Sequence, residues 1–207
     1  MKSFLSFVVL GLVTLCVSAT DRFYINDFNI TPGETCTVSI MLDNETAFTA
    51  FQTDINLPEG MDVDLQSFAL TNRKATDHRI SARTQPDGTI RLISYSLGVN
   101  PYSDNSGALV TFQVTACDDM TLPATIDLKQ SLFTCLTGEE TALPDNVCNV
   151  YLQNDVDCNG IVGLDDLTTL INILVYLYEY QACADVNKDG YVGMDDLTLL
   201  INVLVGK

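Results

Sequence analysis

The chain has 207 residues, and its 27 acidic side chains against 10 basic ones give a formal net charge of −17. This excess of acid argues against a nucleic-acid partner and against docking on anionic lipid, because both present negative charge that selects basic surfaces. Disorder does not fit a chain that is 47% hydrophobic and 18% charged, and a single histidine, His78, excludes multi-histidine zinc sites.

The first 19 residues have the pattern of a cleaved signal peptide. Lys2 supplies the positive charge, residues 4–17 are largely apolar, and Val17-Ser18-Ala19 offers small residues for a signal peptidase. The apolar run is too short to span a bilayer, and no later segment is a candidate. A lipid anchor at Cys16 is the alternative. We therefore expect a protein that is secreted, periplasmic or held at the cell surface.

The first domain is expected to span residues 20–150, and from about Arg22 to Leu152 the hydrophobic pattern has a period of two. Segments 36–42, 51–57 and 110–114 alternate apolar with more polar side chains. Alternate residues of a strand face the same side, so each segment is expected to bury one face. Turn signals such as Thr31-Pro32-Gly33 and Gln85-Pro86-Asp87-Gly88 separate the segments. The pattern predicts a mainly β domain, an antiparallel β-sandwich.

Residues 151–207 contain an internal repeat and change to helical periodicity. Segments 155–175 and 185–205 align without gaps and agree at 14 of 21 positions. Leu167, Leu170, Ile171 and Leu174 recur at helical spacing, and the second segment repeats them. We expect these residues and their copies to belong to the core. The sequence therefore predicts a small all-α domain in which each repeat is a loop followed by an amphipathic helix.

Each repeat opens with the residue pattern of a calcium-binding loop. Oxygen-bearing side chains stand at positions 1, 3, 5 and 12, and a glycine at position 6 permits a sharp turn. Calcium prefers six to eight oxygen ligands, to which the carbonyl at position 7 adds one. The sequence thus predicts two Ca²⁺ ions. The expected ligands are Asp155, Asp157, Asn159, Ile161 and Asp166 in the first loop, and Asp185, Asn187, Asp189, Tyr191 and Asp196 in the second.

On these motifs the segment from Asp155 to Lys207 resembles a type I dockerin, which has two calcium loop-helix repeats with Asp at position 12. The resemblance implies a cohesin-type protein domain as partner and contacts from loop positions 10 and 11. Those positions hold Leu164-Asp165 and Met194-Asp195, which differ from the Ser-Thr pair of well-known clostridial examples. Tyr176 and Tyr178 are further contact candidates, on the expectation that the first helix continues to Tyr180, and partial burial against the sandwich is the alternative.

Six cysteines remain after removal of the signal peptide. An even number in an exported protein suggests disulfides, although six cysteines allow 15 connectivities. Proximity along the chain favours Cys135 with Cys148 and Cys158 with Cys183. Buried free thiols are the alternative.

Residues 22–152 resemble the sandwich superfamily of cohesins and carbohydrate-binding modules. The resemblance rests on Pro32-Gly33-Glu34-Thr35 before a strand, on Phe51-Gln52-Thr53-Asp54-Ile55 and on Gly107-Ala108-Leu109. It implies a fold more than an activity. Most of the positive charge of this domain lies between Arg73 and Arg91, where a solvated face or an acidic partner would explain it.

The expected function is non-catalytic assembly, in which the dockerin attaches the protein to a polysaccharide-handling or surface complex. The sequence has no GxSxG, P-loop or HExxH motif. The first alternative is a carbohydrate-binding protein whose sandwich holds a polysaccharide and whose dockerin is an attachment tag. The second alternative is a non-catalytic component of a glycoside hydrolase.

Overall fold

A computed structural model of the protein describes residues 21–206, so the expected signal peptide lies outside the described residues. The described part contains twelve strands, two α-helices and one 3₁₀ turn. The strands are β1 (Arg22–Ile25), β2 (Phe28–Ile30), β3 (Thr35–Asp43), β4 (Phe48–Asn56), β5 (Met61–Val63), β6 (Ala69–Leu70), β7 (His78–Thr84), β8 (Ile90–Ser96), β9 (Ala108–Ala116), β10 (Ala124–Cys135), β11 (Glu140–Ala142) and β12 (Asn146–Leu152). The helices are α1 (Leu164–Leu174) and α2 (Met194–Leu204), and the 3₁₀ turn is Ala182–Ala184.

The strands form two sheets. The smaller has the order β1-β3-β9-β5, with β6 also paired to β9. The larger has the order β2-β12-β10-β4-β8-β7, with β11 paired to β10. The pairs are antiparallel except β12 with β2. β12 extends to Leu152, so the sheet ends two residues beyond the boundary expected at residue 150.

The core of the sandwich comes from the alternation that the sequence shows. Val38, Ile40 and Leu42 of β3 are buried, as are Val110, Phe112 and Val114 of β9. Phe133 of β10 lies at the centre of an aromatic group, with ring centroids 4.8–5.4 Å from those of Phe23, Phe48 and Phe51. Apolar burial of this extent is the main force that holds the two sheets together.

The basic segment between Arg73 and Arg91 is divided between the interior and the surface. Arg73 is buried, and its guanidinium donates to the carbonyls of Leu42, Ser103, Asp104 and Gly107 and to the amide oxygen of Asn44. His78 is also buried and stacks on Tyr102 at 4.2 Å. The interpretation of the whole segment as a solvated or partner-binding face is therefore wrong for these two residues, which hold loops of the sandwich in place.

The C-terminal unit packs its two helices around a small core. Val156, Leu170, Ile173, Ala184, Val186 and Leu200 are its buried apolar residues. It lies against the end of the sandwich, where the side-chain amide of Gln153 donates to the carbonyl of Val186 at 2.8 Å. None of the helices between residues 21 and 206 is long and apolar enough to cross a membrane.

The first helix is shorter than expected. α1 ends at Leu174, and Tyr176 has a φ of 60°, which is outside the helical region. The expected continuation to Tyr180 is therefore wrong. Val175 and Tyr176 close the helix through N–H bonds to the carbonyls of Ile171 and Ile173.

Candidate metal-binding loops and interaction surface

The first loop brings three carboxylates together. Oxygens of Asp155, Asp157 and Asp166 lie within 4.8 Å of one another. Both oxygens of Asp166 accept backbone bonds, from Val156 at 2.6 Å and Asp157 at 3.1 Å on one side and from Gly163 at 2.6 Å on the other. Because Gly163 precedes α1, this last bond also fixes the start of the helix.

The remaining bonds curl the first loop around this cluster. Asp155 accepts from the N–H groups of Asn159 at 3.0 Å and Gly160 at 2.7 Å, and the amide oxygen of Asn159 accepts from Ile161 at 2.8 Å. Gly160 has a φ of 87°, which L-residues with a side chain rarely adopt. The side chains at positions 1, 3, 5 and 12 are thus oriented by the backbone of the same loop.

The second loop repeats this pattern of hydrogen bonds, with substitutions at five of its twelve positions. Asp185 accepts from Asp189 and Gly190, and Asp196 accepts from Asn187 and Gly193, at 2.7–3.1 Å. Asn187 stands where the first loop has Asp157, and within residues 21–206 only the first loop shows a cluster of three acidic ligand atoms. Lys188 stands where the first loop has Cys158, and the second loop is more exposed than the first.

Several of these carboxylates are buried without a cationic side chain beside them. Asp155, Asp166 and Asp196 are 0% exposed. The ion pairs of the described residues involve Arg22, Arg91 and Lys129, none of which contacts these acids. Burial raises the pKa of Asp155, and the N–H groups of Gly160 and Asn159 oppose that effect. Buried carboxylates of this kind are normally paired or bind a metal, so the donor set fits a hard cation such as Ca²⁺.

The residues predicted to bind a partner fall into two groups. Leu164 and Met194 are 73% and 67% exposed at the start of α1 and α2, and Tyr176 and Tyr178 are also exposed. Asp165 and Asp195 instead accept side-chain bonds from Asn159 at 3.0 Å and Asn187 at 2.8 Å, so they cover the loops. The apolar group is therefore open to solvent, whereas the two aspartates have a role in the structure of the loops.

Each helix carries a stripe of exposed apolar residues along one face. Part of each stripe was predicted to belong to the core. Ile171 and Val175 continue the line from Leu164 along α1, and Ile201 and Val205 continue the line from Met194 along α2. The spacing of four, three and four residues with an intervening threonine places each set on one helical face. Ile171 was expected to be core. The sequence does contain a signal for the stripe, because each helix has apolar residues on two faces, and only one of them can face the small core.

The cysteines behave differently in the two halves. The structure has no disulfide among the six described cysteines. Cys148 lies opposite Ile126 of β10, and Cys135 is at the far end of that strand, about 30 Å further along at about 3.3 Å per residue. A disulfide requires Cα atoms within about 7 Å, so the expected pairing of Cys135 with Cys148 is wrong. Burial raises the pKa of the Cys148 thiol to about 12.

Cys158 and Cys183 lie side by side. Their sulfur atoms are 2.9 Å apart, and the Cys183 thiol donates to the carbonyl of Val156 at 3.1 Å. Cys158 is position 4 of the first loop, and Cys183 belongs to the 3₁₀ turn that precedes the second. The structure therefore brings together the pair that proximity along the chain favours.

The larger sheet presents a second exposed surface on β7 and β8. Arg91, Ile93 and Tyr95 alternate on the outer face of β8, and Arg79 and Arg83 of β7 lie opposite Tyr95 and Arg91. Ile93 is 39% and Tyr95 45% exposed. Arg91 is paired with Asp54 at 2.7 Å. We call these five residues the basic sheet patch, which offers apolar surface bordered by positive charge.

No family model matches the chain, and no curated protein matches it. Solved structures are similar in fold. A non-cellulosomal cohesin from Archaeoglobus fulgidus has a TM-score of 0.52 at 10% identity, covering 67% of this chain and 96% of the cohesin. A type II cohesin from the cellulosome of Acetivibrio cellulolyticus has a TM-score of 0.51 at 13% identity, covering 62% and 95%.

A third structure is a type I cohesin–dockerin complex from Clostridium thermocellum. It has a TM-score of 0.50 at 8% identity and covers 62% of this chain and 91% of its own. At such identities the likeness concerns the fold alone. It supports the expected cohesin-like β-sandwich. It gives no evidence about the C-terminal repeats, for which the observations are the loop contacts described above.

Proposed function

We propose that this chain is an exported, non-catalytic assembly protein that binds two Ca²⁺ ions in a dockerin-like C-terminal unit. The observation that carries the proposal is the convergence of three carboxylates in the first loop, two of them buried and none in an ion pair with another described residue, together with the second loop that repeats its hydrogen bonds. The proposed domains are the sandwich, whose last strand ends at Leu152, and the dockerin-like unit that follows it.

In each loop the side chains at positions 1, 3, 5 and 12 and the carbonyl at position 7 would hold the ion. Bound Ca²⁺ would supply positive charge that offsets the repulsion among the acids. The chain's own contribution is orientation, because the N–H groups of Gly163 and Gly193 fix the carboxylates of Asp166 and Asp196 at the helix starts. Metal binding is thereby linked to the formation of α1 and α2.

The proposed partners are protein domains. The exposed stripes that begin at Leu164 and Met194 would dock on a cohesin-type domain, because apolar helix faces of this extent gain from being covered. The basic sheet patch would receive an acidic, dockerin-type module, since apolar residues there are bordered by Arg79 and Arg83. The cohesin–dockerin complex among the similar folds supports this choice of partner class.

Calcium titration of the full chain tests the metal part of the proposal. We expect two sites by calorimetry, and at 100 times the dissociation constant a bound ion adds about 2.7 kcal/mol to the free energy of unfolding. Chelation should therefore lower the melting temperature of the helical signal and leave the β signal unchanged. A variant with Asp155→Asn and Asp185→Asn should lose binding, and Glu59→Gln, an exposed acid outside the loops, should retain it. Unchanged helical melting after chelation would contradict the proposal.

Calcium-dependent capture tests the assembly part. Extracellular proteins of the native source would be passed over the immobilised chain in Ca²⁺ and in chelator, and the captured proteins identified. We expect domains of cohesin type in Ca²⁺ only, with loss of capture when Leu164→Glu and Met194→Glu are combined. Thr141→Glu, on the sandwich, is the matched control. Capture that is indifferent to Ca²⁺ would contradict assembly through the repeats, and saturable binding of the chain on a glycan array would favour the carbohydrate-binding alternative.

A further inference from the structure

We infer that Cys158 and Cys183 form a disulfide that ties the first loop to the entrance of the second and tightens Ca²⁺ binding in the first. The two sulfurs are 2.9 Å apart, and the other described cysteines lie in the sandwich, outside this unit. The effect on Ca²⁺ binding rests on the proposed function, whereas the crosslink itself does not.

The position of each cysteine decides what the crosslink would restrain. Cys158 lies between the predicted ligands Asp157 and Asn159, and it has a φ of 59°, which costs conformational energy for a residue with a side chain. Cys183 is 2% exposed and lies two residues before Asp185, the first residue of the second loop. A bond between them therefore anchors the most strained ligand-bearing part of the first loop to a buried turn.

The backbone between the two cysteines and the carboxylates is already connected. Asp157, the residue before Cys158, donates its N–H to Asp166 at 3.1 Å, and Asn159, the residue after it, donates its N–H to Asp155 at 3.0 Å. The disulfide replaces the S–H bond of Cys183 to Val156 by a covalent bond to Cys158, so the restraint reaches both carboxylates through the neighbours of Cys158. Because calcium affinity depends on the rigidity of the ligand set, a loop held in this conformation before binding should bind more tightly.

The chemistry requires an external disulfide as oxidant. A thiolate of one cysteine attacks the oxidant, releasing one thiol and forming a mixed disulfide, and the second cysteine then displaces the other thiol. Two protein thiols are oxidised to one disulfide while one external disulfide is reduced to two thiols. Oxidised glutathione is the probe, and an exported thiol–disulfide oxidoreductase would supply the same class of oxidant after export.

Peptide mapping tests the crosslink directly. No Lys or Arg occurs between Lys129 and Lys188, so cleavage before aspartate is used to separate the two cysteines. After oxidation of the full chain with oxidised glutathione, the fragments that begin at Asp157 and Asp166 should be joined, with loss of two hydrogens. Free thiols at both positions, or linkage of either one to Cys36, Cys117, Cys135 or Cys148, would overturn the inference.

Calcium titration of the oxidised and the phosphine-reduced full chain tests the coupling. In the Asp185→Asn variant, where the first loop is left to titrate, we expect reduction to raise the dissociation constant several-fold. In the Asp155→Asn variant, where the second loop is left, the change should be smaller. Cys158→Ser with Cys183→Ser should remove the redox effect, and Cys117→Ser should preserve it.

The outcomes separate this inference from the proposed function. Equal calcium affinity of the mapped oxidised chain and the reduced chain would overturn the coupling while leaving calcium binding in place. Absence of calcium binding in both redox states would overturn the proposed function, and with it the coupling, while the mapped crosslink would still stand.

Discussion

The sandwich and the C-terminal unit are stabilised in different ways. The sandwich buries a continuous apolar cluster between its sheets, centred on the rings around Phe133. The apolar cluster of the C-terminal unit has six buried residues, and three other buried residues of this unit are aspartates. A unit with so small an interior depends on its polar groups for order. Composition alone therefore does not show which part of an acidic chain needs its acids.

Removal of the central ring of the sandwich should give the largest effect. Phe133→Ala should destabilise the sandwich by about 3–5 kcal/mol, as large-to-small substitutions of buried aromatics do, and should leave calcium titration of the C-terminal unit unchanged. Denaturant unfolding followed by the β signal measures the first and calorimetry the second. Leu136→Ala, at an exposed position beyond β10, is the control. A parallel loss of calcium binding would show that the two units are not independent.

The two loop glycines sharpen the contrast between the calcium loops. Both have positive φ, so alanine at Gly190 should cost about 1–2 kcal/mol from backbone strain. A Cβ at Gly160 would also lie 3.1 Å from the carbonyl oxygen of Leu122 in the sandwich, whereas a Cβ at Gly190 would meet no atom within 4 Å. We expect Gly160→Ala to be more destabilising by about 1 kcal/mol or more, the scale of overpacking.

Chemical denaturation of the two glycine variants in saturating Ca²⁺, followed by the helical signal, measures the difference. Equal losses would mean that the first loop can move away from the sandwich at no cost, and that the closeness of Gly160 to Leu122 does not restrain the C-terminal unit.

The smallest effect concerns pH and the sandwich alone. Burial lowers the pKa of His78, and its Nδ1 accepts the N–H of Ala75 at 2.9 Å, a bond that only the neutral ring can make. In the unfolded chain the histidine titrates near about 6.5. The unfolded state therefore binds more protons below that pH, and the stability from His78 is present above it and lost as pH falls toward the lower folded pKa.

Between pH 7.5 and 5.5 the melting temperature of the sandwich should fall, and in His78→Gln the fall should be smaller. Because His78 is the single histidine of the chain, no other side chain of this type contributes. An identical pH dependence in the variant would assign the effect to carboxylates instead.

Much of the fold could be predicted because local patterns determine it. The segments with alternating apolar residues, such as 36–42, form strands with one buried face. The two repeats form two loop-helix units whose helices have equal length. The features that were not predicted depend on contacts distant in sequence. Arg73 is buried because carbonyls from residues 42 and 103–107 surround it, and Cys148 is separated from Cys135 by the strand register. The end of α1 at Leu174 has no proline or glycine to mark it.

The placement of β12 has a mechanical consequence. β12 is hydrogen-bonded on both sides, to β10 and to β2, and it leads directly into the first loop. Tension applied through the C-terminal unit would run along this strand and shear both rows of bonds at once, rather than peeling them apart one after another. An anchor attached at that end would therefore pull on the sandwich in the direction in which a sheet resists most strongly.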